Sequence, residues 1–214
     1  MTGLITRRGF MICLSSPSGA GKTTICTRLK ELDENLNMSV SVTTRPMRPG
    51  EVNGEDYFFI DKDKYNHLVH EGELLEHATV YGNGYGTTKQ YVFDTLRNGG
   101  DVIFDIDWQG TQQVAQIART DLVTVFVLPP STHELEVRLK KRAQDGDDII
   151  YKRMLEAANE LSHWAEYDYV IVNRELEESI KQVQAIITAE RLRRTRQVGL
   201  VDFVNQLRNV EDFK

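Results

Sequence analysis

The chain has 214 residues, 40% of them hydrophobic and 27% charged, with a formal net charge of −6 at pH 7. That length and apolar content suffice for one domain elaborated by insertions, and the negative balance offers no overall basic field for nucleic acid, so any anion site must be a local cluster. The N-terminus from Met1 to Gly9 is short and polar, and the apolar run after it is too brief for a signal sequence or a membrane span, which predicts a soluble, cytoplasmic protein.

The first apolar run, Phe10-Met11-Ile12-Cys13-Leu14, reads as a buried strand, and it feeds Ser15-Ser16-Pro17-Ser18-Gly19-Ala20-Gly21-Lys22-Thr23 before a helical stretch from Thr24 to Leu32. Strand, small-residue loop and helix start in this order make a phosphate cradle. Backbone N–H groups converge on oxygens, Lys22 brings a charge to the β and γ phosphates, and the Thr23 hydroxyl faces Mg²⁺. The fit to G-x-x-x-x-G-K-[ST] lacks its first glycine. Ser16 stands there and must either take an ordinary φ or bear strain. Cys13 in the strand and Cys26 on the helix read as two small buried thiols rather than a bridge.

Next the texture changes. Ser39 to Thr44, Tyr57 to Ile60 and Leu74 to Val80 are short strand candidates, and Pro46, Pro49, Gly50, Gly54, Gly82, Gly84 and Gly86 are placed to make turns and hinges, which predicts an inserted mixed β lobe. Within it, Thr43-Thr44-Arg45-Pro46-Met47-Arg48-Pro49-Gly50-Glu51-Val52-Asn53-Gly54-Glu55-Asp56-Tyr57 is a loop stiffened by prolines that carries two arginines and a tyrosine. Guanidinium forks grip phosphate bidentately, so this loop is a candidate phosphate clamp.

Val102-Ile103-Phe104 ends in Asp105-Ile106-Asp107, and Val123 to Leu128 and Tyr169 to Val172 are further apolar runs. Helical stretches separate them: Gln109 to Ala118, two helices between Ser131 and Glu166, and Leu176 to Arg194. This alternation predicts an α/β fold whose parallel sheet is covered on both faces. A strand ending in Asp105 supplies the acidic half of a nucleotide site, since a carboxylate beside the phosphate loop holds Mg²⁺ directly or through water. Asp107 points to the same side. Arg138-Leu139-Lys140-Lys141-Arg142 puts two arginines one helical turn apart on one face, with Arg153 further on. After Gln197, Leu200, Val201, Phe203, Val204 and Leu207 form an amphipathic pattern. The five histidines show no ligand spacing and read as surface or packing residues.

The phosphate loop, the arginine loop, Gly84-Tyr85-Gly86-Thr87, Asp105-Ile106-Asp107-Trp108-Gln109-Gly110 and Pro129-Pro130-Ser131 resemble the guanylate kinase family in order and spacing, over residues 9 to 194. The resemblance implies a P-loop nucleoside monophosphate kinase: a central parallel sheet flanked by helices in a core of 9–38, 88–130 and 167–194, a mixed β GMP-binding lobe at 39–87, a helical lid at 131–166 and a tail at 195–214. It implies ATP binding by Ser16, Pro17, Ser18, Gly19, Ala20, Gly21, Lys22, Thr23 and Thr24, with Asn173 near the adenine, and Mg²⁺ held by Thr23 and Asp105. Arg45, Arg48, Tyr57 and Tyr85 would bind the phosphate of GMP, while Ser41, Glu76 and Thr87 face guanine with help from Asp107. Guanine presents N1–H and N2–H donors that one carboxylate accepts together, and adenine has no such pair. Arg138, Arg142 and Arg153 on the lid would join Lys22 at the transferring phosphates, with Gln144 to Asp148 as the lid's polar tip.

The reaction so implied is phosphorylation of GMP, and of dGMP, by ATP. Two other readings compete. One is a related kinase acting on a different phosphorylated acceptor. The other is a non-catalytic protein-binding module, as in the guanylate-kinase-like domains of membrane-associated scaffolds; Gly19, Gly21, Lys22, Thr23 and the lid arginines argue against it.

Overall fold

The structure, a computed structural model, describes residues 5–142 and 147–208. In chain order it runs β1 (Thr6–Arg7), β2 (Met11–Ser15), α1 (Lys22–Leu32), β3 (Leu36–Met38), β4 (Val42–Thr43), β5 (Phe58–Phe59), α2 (Lys62–His70), β6 (Leu74–Val80) and β7 (Asn83–Thr88). It continues with α3 (Lys89–Arg97), β8 (Asp101–Asp105), α4 (Trp108–Ala118), β9 (Leu122–Leu128), α5 (Thr132–Arg142), α6 (Asp147–Leu161), β10 (Tyr169–Val172), α7 (Leu176–Arg191), β11 (Gln197–Val198) and α8 (Leu200–Arg208).

The apolar runs become a five-stranded parallel sheet in the order β10-β9-β2-β8-β3. Side chains of a strand alternate between faces, and β2 shows the consequence. Ile12 and Leu14 pack with Ile25 and Leu29 of α1 and Val183 and Ile187 of α7. Met11 and Cys13 pack instead with Val92 and Leu96 of α3 and Val114 of α4. Each such side chain contributes about 1.5–3 kcal/mol by leaving water, so two continuous clusters hold β2 between helical layers. Cys13 and Cys26 are both buried and free, and burial pushes both thiols up, which leaves them inert at neutral pH.

From β2 the chain goes to β3 and β8 on one side and then to β9 and β10 on the other. The crevice at the C-terminal end of β2 is therefore where a ligand fits, and the phosphate loop starts there. The lobe is a four-stranded mixed sheet, β5-β4-β7-β6, with β4 parallel to β5 and antiparallel to β7.

Several local expectations change. Gly84 and Gly86 lie inside β7 rather than at turns, because neighbours fill the space of a side chain. A Cβ on Gly84 would fall 2.5 Å from the Tyr65 ring, and one on Gly86 would fall 2.8 Å from the Glu76 carbonyl oxygen. Of the run Ser39 to Thr44 only Val42–Thr43 is strand, while Leu36–Met38 before it forms the edge of the main sheet. The helices α2 and α3, absent from the sequence reading, flank the lobe and the sheet. The helix expected to reach Arg194 ends at Arg191, and Arg194–Arg196 is a single 3₁₀ turn.

Leu135 and Leu139 of α5 pack on Ala157 of α6, which joins the two expected lid helices into a hairpin. Of the expected polar tip, Gln144 to Gly146 lie outside the described residues. Beyond α7, β11 pairs antiparallel with β1, and the buried Arg196 guanidinium lies 4.4 Å from the centre of the Phe10 ring. The amphipathic pattern near the C-terminus is α8, none of whose residues is buried.

Candidate active site

The loop after β2 turns through two left-handed residues, Gly19 at φ +91° and Gly21 at φ +101°, where a side chain would be strained. Ser16 takes an ordinary φ, since Tyr81 is the one described non-glycine residue with a positive value. Its hydroxyl donates to the Pro17 carbonyl oxygen at 3.0 Å, so serine replaces the motif's first glycine without strain. Beneath the loop sits Asn173, buried at the end of β10. Its Nδ2 donates to the Ala20 carbonyl oxygen at 2.8 Å, and its Oδ1 accepts from the Ser179 hydroxyl at 3.0 Å. The amide thus braces the loop's backbone from below. Above the loop, a Cβ on Gly19 would lie 3.2 Å from Leu135 of α5.

Register places the acidic partner. Leu14 of β2 pairs with Asp105 of β8, which brings the carboxylate to the first turn of α1. Lys22 Nζ lies 3.0 Å from Asp105 Oδ1 and donates to the Ile106 carbonyl oxygen at 2.8 Å, while the Thr23 hydroxyl donates to Asp105 Oδ2 at 2.6 Å. A hydroxyl and a carboxylate at one point are the hard oxygen donors that Mg²⁺ takes. Loop, Lys22, Thr23, Asp105, Asp107 and Glu160 enclose a cavity of about 240 Å³. A wider cleft of about 860 Å³ between the lobe and α3 is lined by none of the predicted site residues.

The lobe gathers a second cluster of charged and aromatic side chains. The Arg45 fork meets Glu51 through Nη1 at 2.8 Å and Nη2 at 2.6 Å, and its guanidinium carbon lies 5.1 Å from the centre of the Tyr57 ring. Tyr57 meets Tyr85 edge-on at 6.0 Å, and the Arg48 backbone N–H donates to Glu51 at 2.7 Å. The Arg45 fork and this N–H draw the Glu51 carboxyl down to about 2. Glu51 was not anticipated as a site residue, although an acid three residues after the second of two arginines in one stiff loop is a legible signal.

Along β6 and β7, Glu76 pairs with Thr87, whose hydroxyl donates to Glu76 Oε1 at 2.7 Å and lies 3.2 Å from the Ser41 hydroxyl. Burial pushes the Glu76 carboxyl up, and the nearby Asp107 charge adds to that against the Thr87 bond. Asp107 itself caps α4, accepting from the Gly110 N–H at 2.9 Å.

The hairpin helices reach the loop. Arg138 Nε pairs with Glu134 at 3.0 Å, and its Nη1 lies 3.5 Å from the Ala20 carbonyl oxygen. Arg153 is partly buried on α6, and the Arg142 side chain lies outside the described residues. Glu160, near the end of α6, also went unread in the sequence. Its carboxylate accepts from the Ser18 backbone N–H at 3.0 Å, across 142 residues, and no local spacing foretells that contact.

The sequence model of the family described as guanylate kinase matches residues 8–190. The chain is 60% identical to the guanylate kinase of Paramagnetospirillum magneticum, over 97% of each chain. It is 57% identical to that of Bradyrhizobium diazoefficiens, over 95% of this chain and 93% of the relative. Its structure is similar to the crystal structure of guanylate kinase from Anaplasma phagocytophilum, with a TM-score of 0.73 and 37% identity, covering 94% of this chain and 96% of that one.

Proposed function

The chain belongs to the guanylate kinase family, and from that premise we propose how its own residues carry the family's reaction. The protein transfers the γ-phosphoryl group of ATP to GMP, giving ADP and GDP. A phosphate monoester has its second pKa near ~6, so the acceptor oxygen is already anionic at neutral pH and needs no general base. What remains for the protein is to align two anions and offset their charge.

In this reading the loop from Ser16 to Thr24 takes the donor's phosphates on backbone N–H groups, with Lys22 bridging toward the transferred group. Arg45 and Arg48, with the hydroxyls of Tyr57 and Tyr85, fix the acceptor's phosphate. Glu51 holds the Arg45 fork in its plane, so little side-chain entropy is lost on binding. Glu76 accepts the N1–H and N2–H of guanine, and Ser41 and Thr87 satisfy the base's remaining polar edge. Arg138, Arg142 and Arg153 offset charge on the transferring group when hairpin and lobe close and exclude water. Thr23 and Asp105 would hold Mg²⁺, which when bound neutralises phosphate oxygens.

One observation supports a shared site above all. Asp107 lines the phosphate-loop cavity and caps α4, and Gln113 of the same helix accepts from the His77 N–H of β6 at 2.9 Å, next to Glu76, so the donor loop and the base pocket adjoin. The test is ADP production in a coupled assay with GMP, AMP, dTMP or no acceptor. Turnover with GMP at least ~100-fold above that with AMP is expected from a buried carboxylate that adenine leaves unpaired. Equal rates with GMP and AMP refute the assignment of Glu76.

A further inference from the structure

Among the described residues, the cavity at the phosphate loop is lined by one cation, Lys22, and three carboxylates, Asp105, Asp107 and Glu160. Asp105 is taken up by Lys22 and Thr23, and Asp107 caps α4. Glu160 differs from both, because its partner is the Ser18 N–H, a donor of the loop that receives phosphate. One N–H cannot serve a carboxylate and a phosphate oxygen together, and two anions side by side in a half-closed cavity repel. We propose that Glu160 is a positioning residue that competes with the donor's phosphates for the loop, tying the end of α6 to it until a polyphosphate displaces the carboxylate.

This inference rests on the reading of the loop as the donor site, and two further features support it. Burial disfavours the charged form of Glu160, as do the Asp107 and Glu156 charges, against the Ser18 N–H and Lys22. The helix carrying it is already coupled to the loop, since Leu135 and Leu139 pack on Ala157 of α6 and Leu135 sits over Gly19. Displacing Glu160 frees the last turn of α6 while the α5 contact stays. Donor binding and movement of the arginine-bearing hairpin become one event.

The experiment is equilibrium titration of the full chain with ATP, with and without Mg²⁺, for wild type, Glu160→Gln and Glu160→Ala. GMP affinity serves as the control for folding. Removing one charge beside a polyanion should tighten Mg²⁺-free ATP binding by about fivefold or more in both variants, with GMP affinity within about twofold of wild type. Amide exchange over residues 155–161 should also be faster in the free variants than in free wild type. A merely structural Glu160 would weaken ATP binding when replaced, so unchanged or weaker affinity in both variants overturns the proposal. Loss confined to Mg²⁺-ATP overturns it too and assigns the carboxylate to the metal. A wild-type chain that binds no ATP refutes the loop reading itself.

Discussion

Replacing Asn173 with alanine tests whether the phosphate loop is braced from below. The amide makes two buried hydrogen bonds, to the Ala20 carbonyl oxygen at 2.8 Å and from the Ser179 hydroxyl at 3.0 Å. Truncation leaves both partners without it, and a buried polar group left unpaired costs about 1–3 kcal/mol. Arg138 Nη1, at 3.5 Å from the same carbonyl, can take up part of that loss, so the lower half of the range applies there. The sum is about 2–5 kcal/mol, which for a chain of this size lowers Tm by about 4–20 °C in a thermal melt followed by circular dichroism. Ser179→Ala breaks only the second bond and should cost about half as much. Because Gly21 backs onto the same amide, the Asn173→Ala loop should also lose ATP affinity and kcat together. A variant that melts within about 1 °C of wild type while only its ATP KM rises would show an adenine contact and no brace.

Lys22→Ala should keep the fold and lower kcat by about 10²–10³, measured by coupled assay, because it removes a charge contact at the transferring group; near-normal turnover would take Lys22 out of the mechanism. Arg45→Lys keeps the charge but loses the fork that grips Glu51 and, in the proposed reading, orients the guanidinium toward the acceptor's phosphate, so GMP KM should rise about tenfold with ATP affinity unchanged. The Glu51 carboxylate, lowered to about 2, keeps that clamp ionised until the pH falls through about 2, so mild acid does not release it. Glu76→Gln should stabilise the free protein at neutral pH while weakening GMP about 10–100-fold. The sign follows from a raised pKa: the fold favours the neutral carboxyl, so its contribution is fully present in acid and is lost as pH rises through the folded value. The gap in Tm between variant and wild type should therefore shrink to nothing below the ordinary carboxylate range, and a gap independent of pH would refute it.

Much of the molecule is written in local spacing. The strand, glycine loop and Lys22-Thr23 pair lie within one stretch, so the phosphate cradle can be read before any folding is known, and the continuous apolar runs at β2, β8 and β9 announce strands buried on both faces, whereas β10, read the same way, lies at the sheet's edge with only Ile171 buried. The roles proposed for Glu76, Tyr85 and Thr87 rest on family resemblance alone, because an acid or hydroxyl in a β lobe has no distinctive spacing of its own. Short or glycine-rich segments escaped in the other direction: β3 has three residues, and β7 hides behind Gly84 and Gly86, whose reason is the Tyr65 ring and the Glu76 carbonyl packed against them. The contacts that tune the site were invisible for a physical reason. Asn173 meets Ala20 across 153 residues and Glu160 meets Ser18 across 142, and such pairings depend on sheet register and helix packing, which arise from the burial of many side chains at once and leave no mark in the spacing of the residues they join.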